Sequence, residues 1–388
     1  SIARAIIKGL GKDPHKAVLS IIIAASVLTY GGVSLFVVVF AVYPFAAALF
    51  KEADYPKRFV PAIIALGAFT ATMVCFPGTP QIQNIIPTAY FGTNLYAAPL
   101  AGILGAILMY GCGIFYLTHR LKGTIAKGEG YGSHTLNEPE DNPDMSFVSW
   151  KLAVIPLLAV LIINFVITEF VVWDQSILEP FQQMKGIPLV AAKVKNVVSI
   201  WALIISLVVG ILLALIIGHK EIKSVNGLTK ILNAGAIGSL LAIMNTASEV
   251  GYGNVISQLP GFAAVAHFLI NIQVGGTPLV SEAISVTVLA GITGSASGGL
   301  AIALELMSQD WLAWAQSIGM GPEILHRIAS MASGGLDTLP HNGAVITLLA
   351  VCGMTHRESY KDIFVVTSLL TTFSVFAVIF IYSVTGLQ

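Results

Sequence analysis

Two stretches place helix-breaking residues beside hydrogen-bonding side chains in the middle of apolar surroundings: PGTPQIQN at 77–84 and SGGLDTLPHNG at 333–343. In the first, Pro77 and Pro80 stop a helix, Gly78 permits close approach, and Thr79, Gln81, Gln83 and Asn84 offer donors and acceptors. In the second, Gly334, Gly335, Pro340 and Gly343 open the helix, while Asp337, Thr338, His341 and Asn342 supply the polar groups. Two turn-like segments accompany them, one with Thr29, Tyr30, Gly31, Gly32 and Ser34, the other running from Gly294 to Gly299 with Ser295, Ser297 and Gly298. Half-helix N-termini present free N–H groups and a positive dipole end, which hold a carboxylate without Lys or Arg. Neither break contains a cation, in keeping with that mode, and hydroxyls and amides suit a ligand that carries hydroxyls of its own. The plainer alternative is that these residues cap structural kinks.

Ionisable groups inside an apolar zone cost at least a few kcal/mol and are functional candidates by default. Glu249, Glu282, Asp337 and His341 stand out. A histidine or a buried carboxylate can exchange a proton near neutrality, so proton coupling is the chemistry assigned to these four, with Asp337 and His341, four apart in a broken stretch, foremost. For Glu282 and His267, each alone on an apolar helix, an internal hydrogen bond is the competing reading, and Glu305 reaches the interface. No GxSxG, HExxH or P-loop pattern is present. Ser295 or Ser297 with His341 and Asp337 could be assembled into a nucleophile, base and orienter, but nothing in their spacing demands it. Cys75, Cys112 and Cys352 sit singly in apolar runs without metal-ligand spacing, so no metal and no cofactor is expected.

The elements that position these residues follow from composition. Hydrophobic residues make up 56% of the 388 and charged residues 10%, against about 25% charged in a soluble domain. Twenty Lys and Arg balance twenty Asp and Glu, which leaves no basic footprint for nucleic acid. A bilayer core needs about 20 apolar residues of helix. Residues 93–118, 150–172, 196–218 and 361–386 read as spanning helices, whereas 58–76, 228–248 and 261–274 run into Gly, Pro, Asn or Glu. Lys16 to Phe50 would reach roughly 52 Å as one helix, too far for a single crossing. Broken at 29–34, it reads as a re-entrant hairpin, or as two tilted spanning helices joined by a glycine turn. Residues 279–314 repeat the arrangement around Gly294–Gly299, and each hairpin is followed by one of the two breaks, 48 positions on from Gly32 to Pro80 and 41 from Gly299 to Pro340.

The expected fold is therefore an all-α polytopic membrane protein of inverted repeats, each with a re-entrant helical hairpin and a broken helix. The first repeat is 1–150, with hairpin 16–50, broken helix 58–88, spanning helix 93–118 and loop 119–149; 151–230 connects. The second is 231–388, with hairpin 279–314, broken helix 323–353 and last spanning helix 361–386. Basic loops around Arg120, Lys122 and Lys127 and around Lys220, Lys223 and Lys230 face the cytoplasm by the positive-inside rule, and Trp173 to Lys195 faces outside. The polar stretch Gly128 to Asp144 is expected to be a mobile cytoplasmic loop whose acidic run is a solvated surface. The opening Ser1 and the basic segment SIARAIIKGLGKDPHK read as a start within a longer protein.

At TYGGVSLFVVVFAVYP, ALGAFTATMVCFPGTPQIQNIIPTAYFGT and ASGGLDTLPHNGAVITLLAVCGMTHRESYKDI the chain resembles the gluconate permease family of proton symporters, within it most closely the members assigned to D-beta-hydroxybutyrate. The resemblance covers the whole chain. It implies an ion-transporter-type architecture in a bacterial inner membrane, a homodimer, and elevator-like motion in which the hairpin tips and the two breaks enclose a small hydroxy acid carried with protons. Members of that family begin with further membrane helices, which this chain lacks ahead of SIARAI. Sodium coupling is the near alternative, and a channel or a membrane enzyme the more distant ones.

Overall fold

The computed structural model describes residues 13–33, 35–138, 149–182, 194, 197–219, 228–270, 272, 274 and 276–386. The described residues form two compact units, a larger one before 139 and after 231 and a smaller one between 149 and 231. Every regular element among the described residues is helical. By length and composition Leu35–Ala53, Lys57–Val74, Pro99–Ile125 and His356–Thr385 can each cross a membrane, so the chain is a polytopic membrane protein.

The larger unit begins with α1 (Pro14–Tyr30), started by Pro14 at its first position and by the Asp13 carboxylate, which accepts from the His15 N–H. A tight turn at Gly31 to Val33, with Gly32 at φ 83°, leads into α2 (Leu35–Ala53), which lies against α1. Next come α3 (Val60–Ala68) and the single turn α4 (Ala71–Val74), separated by the bend at Phe69 and Thr70. The chain then unwinds through Pro77 to Pro80 and resumes as α5 (Ile82–Phe91), followed by the long α6 (Pro99–Ile125). In the smaller unit α7 (Trp150–Phe170) and α8 (Val198–Ile217) pack closely enough that a methyl group on Gly210 would meet Val160 Cγ2 at 2.5 Å.

Then follow α9 (Leu228–Ser257) and α10 (Pro260–Ile270). The glycines and asparagines of 228–248, and Glu249 just after them, do not interrupt α9, which runs through all of them. Single glycines cost a helix about 1 kcal/mol each, too little to break thirty residues. Next are α11 (Pro278–Thr293) and α12 (Ala296–Ser317), joined by Gly294 and Ser295 and lying so close that a Cβ on Gly299 would strike the Ala290 backbone. The chain continues with α13 (Pro322–Ser333), a second unwound stretch from Gly334 to Asn342, α14 (Gly343–Cys352), α15 (His356–Phe364), a π-helical turn at Val365–Leu369, and α16 (Leu370–Thr385).

Packing crosses between the two halves of this unit. The second helix of each pair takes the half-helix that follows the other half's break: α2 packs on α14, and α12 packs on α5. The apolar core around α1, α2 and α3 accordingly contains Val345, Leu348 and Leu349 of α14. The other core, around α11, α12, α13 and α16, contains Ala71, Met73 and Val74 of α4.

The stretch after α6 departs from the mobile loop expected for 128–144. As far as Glu138 it is a strap bonded to the helix ends; 139–144 lie outside the described residues. Glu129 holds Arg58 through two bonds of 2.6 and 3.1 Å, and Asp54 accepts from the Tyr131 N–H at 2.9 Å. Glu138 accepts from the buried Lys57 ammonium at 2.7 Å and from the Tyr131 hydroxyl. Burial first, and then Glu138, push the Tyr131 phenol above its ordinary range, so it keeps the proton it donates. Asn137 donates to the carbonyls of Ala350 and Val351 at the end of α14, groups that lack partners inside the helix. The acidic run is thus partly an ion-paired clamp, because a buried ammonium cannot be left unpaired.

Candidate functional site

Each unwound stretch is bonded to the turn that precedes it in the chain, and the two contacts use the same chemistry. Gln81, the residue just before α5, donates its side-chain amide to the Thr29 carbonyl at 2.7 Å and to the Val33 carbonyl at 3.4 Å, and Tyr30 donates its hydroxyl to the Pro77 carbonyl at 2.8 Å. Asn342, the residue just before α14, donates its amide to the Gly294 carbonyl at 2.6 Å and accepts from the Val345 N–H as a helix cap. The His341 ring lies over Gly294, where an added Cβ would approach its Cδ2 to 2.8 Å.

The helices entering the two breaks meet. A methyl group on Gly334, where the second break opens, would lie 3.5 Å from the Val74 side chain, which precedes the first, and Ser330 donates to the Val74 carbonyl at 2.9 Å. Thr338 is held from behind by the π-helical turn, its hydroxyl lying 2.6 Å from that of Thr367 and 2.9 Å from that of Ser368. Short π segments widen a helix by one residue and open side-chain hydroxyls to neighbours.

The sequence-predicted residues divide as follows. Thr29, Gly31, Gly78, Thr79, Gln81, Gln83, Asn84, Ser295, Gly298, Asp337, Thr338 and Asn342 are buried; Gly32 and Ser297 are half-buried; His341 is exposed. Ser34 and the Glu249 side chain lie outside the described residues. Several polar groups expected in unwound chain belong to helix ends instead: Thr29 closes α1, Gln83 and Asn84 start α5, and Ser297 and Gly298 start α12. Thr79 bonds to the Thr72 carbonyl and Ser295 caps α12 through the Gly298 N–H, so both serve the local backbone. Gln83 is different, since its Oε1 is buried and has no hydrogen-bond partner among the described residues. Glu282 contradicts the internal hydrogen bond expected of it. Its side chain is 0% exposed, and neither carboxyl oxygen has a partner among the described residues.

Reasoning from sequence overlooked the residues that lock the first break. Arg327, fully buried on α13, spends all its donors on neutral acceptors: Ala97 carbonyl at 2.8 and 3.0 Å, Leu95 carbonyl at 3.2 Å, Val74 carbonyl at 3.5 Å and Asn84 Oδ1 at 3.0 Å. Asn84 in turn donates to the carbonyls of Thr79 and Leu95. Its Oδ1 also lies 3.1 Å from His326 Nε2, while His326 Nδ1 lies 2.6 Å from the Thr93 hydroxyl. Because Asn84 Oδ1 only accepts, His326 carries its proton on Nε2 and takes one from Thr93 on Nδ1. The signal was present in the sequence: an arginine inside ILHRIASMA falls under the same rule that singled out Glu282.

Buried polar breaks, bonded to helical turns inside an apolar multi-pass protein, are the build of a membrane transporter, in which unwound backbone is tolerated only where protein or a cavity receives it. The chain is 47% identical over 400 residues to a protein of Bacillus subtilis (strain 168) named uncharacterized transporter YxjC, a match that covers 100% of this chain and 82% of that protein. It belongs to the family of that transporter. No family model matches the chain.

Proposed function

We propose that the protein is a secondary active transporter, a symporter that takes up a small hydroxy-carboxylate such as gluconate or 3-hydroxybutyrate into a bacterium, driven by the proton gradient. The observation that carries this reading is the matched pair of amide contacts, Gln81 to the turn after α1 and Asn342 to the turn after α11. Each stands at the N-terminus of a half-helix, where N–H groups and the dipole favour a carboxylate. Gln83 Oε1 supplies an unused acceptor for a substrate hydroxyl on the first of those half-helices.

The crossed packing of α2 on α14 and α12 on α5 supports the reading of the larger unit as two repeats, with α1–α2 and α11–α12 as re-entrant hairpins. The resemblance to gluconate permeases supports the substrate class, the homodimer and an elevator-like motion. Asp337, buried beside Thr338, and His341, lying over Gly294, belong to the proton-coupling group in this reading.

Thermal-shift measurements on the purified protein across hydroxy acids of increasing length identify the substrate. The reading predicts stabilisation that saturates for one chain length and is absent for the deoxy analogue. Gln83→Leu weakens that binding by about tenfold, the value of one hydrogen bond in a site that excludes water. Equal shifts from hydroxylated and deoxy acids, or an unchanged Gln83→Leu, count against it.

A further inference from the structure

Glu282 stands in the second turn of α11, past the first turn to which the favourable dipole of a helix N-terminus is confined. Three positions on, and therefore on the same face of the helix, stands Ser285. Its hydroxyl is likewise buried, at 0% exposure, and without a partner among the described residues. Two carboxyl oxygens and one hydroxyl thus lie buried on one face of the helix, with no donor bonded to them among the described residues.

Among the described residues, the elements packed on α11 bring no free counter-charge. On α13, His326 and Arg327 are committed to Thr93, Asn84 and backbone carbonyls. Glu305 and Asp310 of α12 are exposed, Trp311 of α12 donates to Ser281 at 3.2 Å, and Tyr382 of α16 does not bond to Glu282. The His267 side chain on α10 lies outside the described residues. An ionised carboxylate so placed costs several kcal/mol, whereas the neutral acid costs far less.

We propose that Glu282, with Ser285 on the same helix face, is a proton-binding site of the transporter, distinct from Asp337 and His341. Glu282 takes a proton where α11 is open to water and is buried only as the neutral acid. Reorientation with Glu282 ionised is blocked by the desolvation cost, and that block makes movement of the solute depend on the proton. Among the described residues the unpartnered side-chain oxygens here number three, against the about six oxygen ligands that a hard cation gathers in place of its hydration shell. A proton needs one. The proposal rests on the reading of the chain as an ion-coupled carrier, and it names the group that carries the ion.

Infrared spectroscopy of the purified protein in lipid at neutral pH tests the site without any substrate. A protonated, poorly hydrogen-bonded carboxyl band that disappears in Glu282→Gln is the expected result, and a band that persists unchanged in the variant overturns the assignment. Proteoliposomes loaded by an imposed pH gradient, with labelled 3-hydroxybutyrate and gluconate as probes, test the coupling. Glu282→Gln, which mimics the protonated form, is expected to lose accumulation by about tenfold or more while exchange down the solute's own gradient falls far less. Glu282→Asp, which keeps a titratable carboxyl, restores part of the accumulation. Full pH-driven accumulation in Glu282→Gln, or accumulation that follows a sodium gradient instead, overturns the proposal. If the wild type carries neither probe, the substrate reading fails while the infrared result still decides the site.

Discussion

Asn84 is the residue on which the first break depends. It is the point where the α13 cation, the His326 ring and the carbonyls of Thr79 and Leu95 are all satisfied at once. Asn84→Ala strands two buried donors, one of them charged, and the Thr79 carbonyl. A loss of about 3 kcal/mol or more follows, seen as a lower unfolding temperature in detergent. Arg327→Lys behaves almost as badly, since an ammonium cannot reproduce the planar five-donor fork. A variant as stable as the wild type contradicts the network. Asn84, Gln81 and Asn342 were legible in the sequence because amides beside prolines and glycines in an apolar run advertise unsatisfied backbone. The remote bonds of these amides, to Thr29, Arg327 and Gly294, were not legible, because those partners lie 48 to 243 residues away.

At the scale of elements, the apolar runs gave the long helices, and the proline and glycine clusters gave both breaks. Sequence patterning did less well where polarity and order part company. The strap from Glu129 to Glu138 is as hydrophilic as any mobile loop, yet Lys57, buried by the folding of α3, requires Glu138 as its partner. Glu138→Ala leaves that buried ammonium without its counter-charge, which costs about 3 to 5 kcal/mol. The strap then lifts from the end of α14, and limited proteolysis cuts between 127 and 138 at least several times faster than in the wild type. Resistance equal to the wild type indicates that Asn137 and Arg58 suffice to hold it. In α9 the reverse error occurred: glycine and asparagine, read as interruptions, are absorbed by a helix long enough to carry them.

For the whole molecule, the crossed exchange of half-helices explains why neither half of the larger unit has a core of its own. Val345 and Leu348 complete one core, Met73 and Val74 the other, and the chain passes between them at the Phe69–Thr70 bend ahead of the first break and at the second break. A centre of this kind stays polar inside an apolar protein because each break is bonded to a turn, and exchanging those bonds for bonds to a solute is what a carrier requires. Uptake of labelled gluconate and 3-hydroxybutyrate into proteoliposomes, with and without an inward proton gradient, tests this most directly. The account predicts saturable accumulation of a hydroxy acid above its outside concentration, collapsing when a protonophore is added. Flux that rises linearly with concentration and never exceeds equilibrium would contradict it.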